Sequence, residues 1–159
     1  MTRFLLAALF GLTAAFASAA DAKLVKIVHV ETGKVLAIED NSDDAAAKTV
    51  LAKDGDGEGL QWTIEKDGEH LKLTNKKSGK VLDVNEDSKD EEASIIQYDA
   101  KDEGSDNQRW SWDGKGDEKR LKSKSSKLVV APDADGKLIQ KKADEKAKGQ
   151  LWKLVEVKK

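Results

Sequence analysis

The stretch SGKVLDVNEDS at residues 78–88 has two relatives in the same chain: TGKVLAIEDNS at 32–42 and the weaker SSKLVVAPDAD at 125–135. Gly79 lies 46 residues after Gly33, and Ser126 lies 47 residues after Gly79. Self-similarity at a fixed period of this length indicates a structural unit that the chain repeats. The sequence therefore predicts three copies of one unit around a common core.

A glutamine and a tryptophan close the copies. The endings read LQW, NQRW and GQLW, so Trp62, Trp110 and Trp152 stand at the same place in successive units. In the second and third copies the glutamine stands two residues before the tryptophan, whereas the first copy has Leu60 there. A buried tryptophan is among the largest apolar contributors to a core. The three tryptophans therefore predict one core that all three units share.

Short apolar runs broken by Gly, Asp, Asn and Ser fill each copy, which is typical of strands and turns. Two charged stretches, DSKDEEAS at 87–94 and ADEKAKGQ at 143–150, have a helix-like composition. They lack an apolar stripe, so we interpret them as solvated loops. The predicted fold class is all-β, with strands at 24–30, 34–39, 48–53, 60–65, 70–75, 80–85, 94–98, 108–113, 119–124, 127–131, 137–141 and 150–156.

The first twenty residues form a different segment, with one arginine, an uncharged apolar run, and small residues that include Ala17 and Ala19. This is the layout of a secretory signal peptide, and the run is short for a membrane span. We therefore predict a signal peptide at 1–20, a single domain of about 140 residues at 21–159, and a secreted or periplasmic location. No membrane association is expected of the mature form.

Composition excludes several classes of protein. The 159 residues are 36% charged with a net charge of −2, and they include no cysteine. Disulfide scaffolds and thiolate metal sites are therefore excluded, and a balanced charge without a basic face disfavours nucleic acid as a partner. The two histidines, His29 and His70, lie in strand-like contexts without a catalytic motif beside them. We therefore predict no enzymatic activity and no cofactor.

One loop, DGDGEGLQWTIE at 54–65, has the oxygen spacing of a calcium-binding loop. Its flanking segments read as strands, whereas such a loop requires helices on both sides. We interpret it as an acidic turn within the first unit and predict no metal site.

Taken together, the GKVLDV-like strand, the IIQYDA-like strand and the Q-x-W ending of each unit resemble the ricin-B-type lectin family. The resemblance covers nearly all of 21–159. It implies a β-trefoil of three pseudo-symmetric four-stranded units, at about 21–66, 67–115 and 116–159. It also implies that the Q-x-W tryptophan packs in the shared core and that its glutamine ties the preceding turn.

In that family a sugar site belongs to one unit and consists of an aspartate on the second strand, an aromatic residue on the third, and an asparagine before the Q-x-W glutamine. The second unit resembles this pattern in Asp83, Tyr98 and Asn107, with Gln108 holding the turn. Many members of the family also have a glutamine on the third strand, and Gln97 is included in the predicted site on that ground. It lies one residue away from the position that the alternation of side chains along the strand would give.

The other two units lack the pattern at the positions aligned with Asp83, Tyr98 and Asn107. They carry Ala37, Lys53 and Gly59 in the first unit and Val130, Lys141 and Gly149 in the third. The resemblance therefore implies a lectin-like module with one sugar site, whose partner is a glycan or polysaccharide. The alternative is a β-trefoil protein-interaction or inhibitory module without sugar affinity, whose partner is a protein, because a fold alone does not fix a function.

Overall fold

The computed structural model describes residues 22–102 and 105–158, and the segment predicted as a signal peptide lies outside them. The described residues form twelve strands, joined by turns and single-turn 3-10 helices. The strands are β1 Lys23–His29, β2 Val35–Ile38, β3 Thr49–Ala52, β4 Trp62–Asp67, β5 His70–Asn75, β6 Val81–Val84, β7 Ile95–Tyr98, β8 Trp110–Asp113, β9 Arg120–Ser123, β10 Val129–Pro132, β11 Leu138–Lys141 and β12 Trp152–Glu156. Every predicted strand is present, and the all-β prediction is confirmed.

Six of these strands form a closed barrel. β1 pairs with β4 and β12, β5 pairs with β4 and β8, and β9 pairs with β8, all antiparallel. A bridge between Lys119 and Trp152 joins the start of β9 to β12 and completes the ring. Closure of the barrel pairs the backbone groups at the strand edges within the molecule, so no open edge remains for pairing with another chain.

The other six strands form three hairpins, β2–β3, β6–β7 and β10–β11, that cap one end of the barrel. Single bridges link each hairpin to both of the others: Lys48 to Ile96, Val50 to Lys137, and Ser94 to Ile139. A six-stranded barrel capped by three equivalent hairpins is a β-trefoil. The fold that the repeat predicts is therefore the one observed.

Three tryptophans occupy the same place in the three units, and each is completely buried. The indole N–H groups of Trp62, Trp110 and Trp152 donate to the carbonyl oxygens of Leu36, Leu82 and Val130 at 3.0, 3.1 and 3.0 Å. A buried indole requires such an acceptor. Each hydrogen bond fastens a barrel strand to the second strand of its own unit, and the three carbonyls mark equivalent positions.

The turn before each hairpin shows which residue of the third unit is equivalent to Gly33 and Gly79. Its central residue has a positive φ of 68° at Gly33, 68° at Gly79 and 66° at Lys127. In each case the N–H of that residue donates to the carbonyl four residues earlier. The alignment with Ser126 is therefore wrong by one residue, because lysine here takes a conformation that glycine usually signals. Ala131, rather than Val130, is consequently the equivalent of Asp83.

The acidic segment at 54–65 begins just after β3 and runs into β4, so strands flank its acidic part as predicted. Lys26 Nζ binds a carboxylate oxygen of Asp54 at 2.8 Å. Among residues 22–102 and 105–158 no cluster of three or more acidic or histidine side chains could hold a metal ion. Over the same residues, no helix has the length and apolar character needed to cross a membrane.

Candidate functional site

Asp83 occupies β6, a strand in which every residue is buried. Its side chain is 2% exposed and is the only polar one in the strand. Asn107 Nδ2 donates to Oδ1 at 2.8 Å, and Gln108 Nε2 donates to Oδ2 at 2.8 Å. Burying a charge is costly unless it is hydrogen-bonded. The two amides meet that requirement and hold the carboxylate in one orientation.

Asn107 and Gln108 lie on the 3-10 turn that precedes β8. Asn107 Nδ2 also donates to the carbonyl of Val84 at 3.1 Å. Gln108 Nε2 donates to the carbonyl of Asp99 at 2.9 Å, and its Oε1 accepts the backbone N–H of Lys101 at 2.9 Å. The glutamine therefore ties the loop after β7 to the turn before β8, which is the role expected of the Q-x-W glutamine.

Burial raises the pKa of Asp83 above its ordinary value of 3.8, because desolvation disfavours the charged form. The hydrogen bonds from Gln108 and Asn107 and the positive charge of Lys101 act in the opposite direction and offset only part of this rise. A titratable group shifted by burial beside a cavity is a candidate functional group.

Tyr98 ends β7 and is 37% exposed, which makes it one of the few large apolar side chains at the surface of the described residues. It lines a cavity of about 320 Å³ together with Asp83, Asn85, Glu86, Ile96 and Lys101. The ammonium of Lys101 lies 5.4 Å from the centroid of the tyrosine ring. Asp83 and Tyr98, which the sequence predicts as a pair, therefore do share one pocket.

Gln97 does not belong to this pocket. Successive side chains of a strand point to opposite faces, and Gln97 is completely buried. Its Nε2 donates to the carbonyls of Ser42 and Asp44 at 3.0 and 2.8 Å, and its Oε1 accepts the hydroxyl of Ser78 at 2.7 Å. Gln140 forms the same set of bonds one unit later. The inclusion of Gln97 in the sugar site is corrected accordingly: it braces one unit against the preceding one.

The first and third units hold cavities of about 640 and 610 Å³ at the equivalent surfaces. Ala52 takes the place predicted for Lys53, because it holds the same register position in its hairpin as Tyr98. The residues equivalent to Asp83, Tyr98 and Asn107 are thus Ala37, Ala52 and Gly59 in the first unit, and Ala131, Lys141 and Gly149 in the third. These cavities are larger than the one beside Asp83, but neither combines a buried carboxylate with an exposed aromatic ring.

Other side chains occupy the space that Asn107 fills in the second unit. A side chain at Gly59 would collide with the amide of Asn41, and one at Gly149 would meet a carboxylate oxygen of Glu31 at 2.9 Å. Both neighbours are ends of exposed side chains, so a larger residue at either position would displace Asn41 or Glu31.

Four residues of the pocket were not predicted from the sequence: Asn85, Glu86, Ile96 and Lys101. Asn85 and Glu86 begin the 3-10 turn after β6. Lys101 follows Tyr98 by three residues in a loop. A loop has no periodicity that fixes where a side chain points, so proximity to the end of β7 was the only available signal.

The molecule is thus a β-trefoil whose second cap holds a hydrogen-bonded carboxylate beside an exposed tyrosine. The sequence matches the family model described as Ricin-type beta-trefoil lectin domain-like over residues 13–98, which is more than half of the chain. The chain belongs to that family.

Solved structures show the same fold. ThreeFoil, a designed 3-fold symmetric protein, is 30% identical with a TM-score of 0.79, over 84% of this chain and 99% of that chain. An exo-beta-1,3-galactanase from Clostridium thermocellum is 33% identical with a TM-score of 0.77, over 85% of this chain but only 30% of that chain. The Polyporus squamosus lectin, at 21% identity and a TM-score of 0.75 over 84% of this chain and 49% of that chain, is similar in fold. Among curated proteins, none matches the sequence significantly.

Proposed function

We propose that this ricin-B-type lectin domain is a carbohydrate-binding module whose sugar site is the pocket of the second unit. The observation that carries the proposal is the buried carboxylate of Asp83, held by two amides beside the exposed ring of Tyr98. Glycan binding is what a lectin domain implies in general, and the proposal is supported because Asp83 and Tyr98 line this pocket together.

The chemistry follows from the atoms that remain available. Each oxygen of Asp83 accepts one amide hydrogen, which leaves lone pairs to accept hydrogens from neighbouring hydroxyl groups of a pyranose. Such charge-assisted bonds are about twice as strong as neutral ones. The ring of Tyr98 packs against the apolar C–H face of the sugar, a contact of ~1 kcal/mol.

The main contribution of Asn107 to the proposed site is to hold the carboxylate of Asp83 in one orientation. Asn107 is 3% exposed, and its Nδ2 group already donates to Asp83 and Val84. Its Oδ1 is the atom left to accept a hydroxyl hydrogen. Gln108 holds the turn that presents Asn107, and its own amide is engaged by Asp83 and Asp99.

The variant Asp83→Ala tests the site directly. We expect it to lose binding to every glycan that the natural chain binds on a glycan array. Its melting temperature should stay nearly unchanged, because Asn107 and Gln108 each keep a second acceptor and a costly buried charge is removed. Lys141→Ala, at the position equivalent to Tyr98 in the third unit, is the matched control and should bind as before. Retained affinity in Asp83→Ala, or an equal loss in Lys141→Ala, contradicts the assignment.

We also propose that the protein is secreted or periplasmic, on the signal-peptide pattern of residues 1–20. Expression with these residues and mass spectrometry of the exported product should show an N-terminus at Ala20 or Asp21. A product that still begins at Met1 and stays in the cytoplasm contradicts it.

A further inference from the structure

The pocket of the second unit contains an ammonium group that the proposed role of Asp83 does not use. Lys101 Nζ lies 5.4 Å from the centroid of the Tyr98 ring, and both side chains line the cavity that contains Asp83. A cation over an aromatic face is attracted by the quadrupole of the ring. The ammonium therefore occupies the region in which a saccharide would contact the tyrosine.

The backbone of Lys101 is fixed while its side chain is exposed. Its N–H donates to Gln108 Oε1 at 2.9 Å, so the same glutamine that holds Asp83 also holds this loop. Lys80, on the strand side of the same hairpin, is bound to Asp99 at 2.7 Å. Among residues 22–102 and 105–158, Lys101 has no ion pair of this kind, and its ammonium lies over the ring of Tyr98.

The charges that line the pocket are those of Asp83, Glu86 and Lys101. The carboxylate of Asp83 already faces two amide donors. Lys101 counteracts the burial-induced rise in the pKa of Asp83, whereas Glu86 is not among the charges that shift it. Lys101 is therefore the one positive charge among the residues that line this pocket.

We propose that Lys101 is a specificity-determining residue that directs this pocket toward saccharides with an anionic substituent, such as the carboxylate of a uronic acid. The inference rests on the proposed function, because it assigns a ligand class to the same site. The pyranose takes the face of Tyr98, Asp83 accepts its hydroxyl hydrogens, and the ammonium moves from the ring to the anionic group.

Displacement of the ammonium explains the preference. A neutral saccharide that packs on Tyr98 must move Lys101 off the ring and gives it no new partner except water. An anionic saccharide gives it a charge-assisted hydrogen bond in exchange. The gain is that of a partly exposed ion pair, so we expect roughly a two- to fivefold preference at low salt.

The test compares glycans that differ only at C6. An array carrying glucuronic and galacturonic acid residues beside their glucose and galactose counterparts is probed with the natural chain and with Lys101→Met. Methionine keeps most of the apolar length of lysine but removes the charge. We expect the natural chain to bind the acidic member of a pair two- to fivefold more tightly, and Lys101→Met to lose this preference. Lys80→Met, which removes a lysine paired outside the cavity, is the control and should keep it.

A second readout needs no ligand. Tyr98 is the only tyrosine in the chain, so carbon-13 labelling of tyrosine gives one ring signal in an NMR spectrum. Lys101→Met should shift this signal, since the ammonium is removed from above the ring, whereas Lys80→Met should leave it in place. An unchanged signal in Lys101→Met overturns the proposal.

The array outcomes separate two failures. If glycans are bound through Asp83 but the acidic members are not favoured, or if Lys101→Met keeps the preference, the charge assignment is overturned and the sugar site stands. If the natural chain binds no glycan on the array, both the proposed function and this inference are overturned.

Discussion

The hairpin caps of the second and third units share one backbone and differ in what they present. In both, a tryptophan N–H binds the carbonyl of the second strand, and a glutamine on the third strand braces the preceding unit. One cap then places Asp83 and Tyr98 beside a cavity, whereas the other places Ala131 and Lys141 there. The residues that determine the fold are thus separate from those that determine the site.

This separation has a physical basis. The fold depends on the buried tryptophans, on hydrophobic alternation along the strands, and on an exposed turn of positive φ before each hairpin. The site depends on side chains that line a cavity of the cap and do not belong to the hydrophobic core cluster. A unit can therefore lose its carboxylate and keep its structure.

The largest effect should come from the shared core. Trp110→Ala is expected to lower the free energy of unfolding by about 3–5 kcal/mol, because the indole is completely buried and hydrogen-bonded. Trp62→Ala and Trp152→Ala should cost similar amounts, since their burial and hydrogen bonds are equivalent. Urea denaturation measures all three. A much smaller loss at one position would show that the three units do not share the core equally.

The next effect concerns only the second unit and depends on pH. Because the pKa of Asp83 is raised in the folded protein, its ionised form is lost at a higher pH than for an ordinary aspartate. Sugar affinity should therefore fall as the pH decreases through that raised pKa, because a protonated carboxyl no longer accepts two hydroxyl hydrogens. Below the raised pKa, the loss of affinity should approach tenfold per pH unit. Calorimetric titrations between neutral pH and pH 4 measure it. Affinity that stays constant over this range contradicts the role of Asp83.

The contribution of Asp83 to the free energy of unfolding should change with pH in the opposite direction to sugar affinity: it should increase as the pH falls. Between the ordinary pKa and the raised one, the folded state binds the proton more tightly than the unfolded state, so protonation stabilises the fold. Other carboxylates, such as Asp54 and Asp87, have lowered pKa values and act in the reverse sense. The difference in unfolding free energy between the natural chain and Asp83→Ala isolates the contribution of Asp83. That difference should move in favour of the natural chain as the pH falls.

The smallest effect belongs to the third unit. Lys127→Gly should raise the free energy of unfolding by about 1 kcal/mol, because lysine pays for a positive φ that glycine adopts freely. Lys127 is exposed, so little packing is lost. Thermal denaturation measures the gain, and Lys124→Gly, in the same turn region without a positive φ, is the control that should not stabilise. A loss of stability in Lys127→Gly would show that the lysine stem contributes more than the backbone strain costs.

Lys127 also shows why the sequence predicted most of the fold but misplaced part of it. Strands could be located within two residues because turn residues and apolar alternation are local signals. The register of the third unit was missed because the conformational signal of Gly33 and Gly79 is absent where a lysine takes their place. The backbone kept the turn although the residue type changed.

The candidate site was predictable only in part. The family pattern within one unit predicted Asp83, Tyr98 and Asn107. Asp83 and Tyr98 line one cavity, and Asn107 binds Asp83 but is not among the residues that line it. The role of Gln97 is decided by Ser42 and Asp44, which lie more than fifty residues earlier in another unit. Lys101 depends on the course of a loop. Long-range contacts and the course of loops are the features that could not be predicted from a single sequence.

The antiparallel pairing of β1 with β12 also determines how the barrel opens under a pulling force. The two strands are antiparallel neighbours from Val25 and Glu156 to His29 and Trp152, and Lys23 lies 3.5 Å from Glu156. A force that draws Lys23 and Glu156 apart acts across the pairing rather than along it. Hydrogen bonds then break one pair at a time, from the outer end inward. Tension applied to Lys23 and Glu156 is therefore expected to open the pairing of β1 with β12 by unzipping.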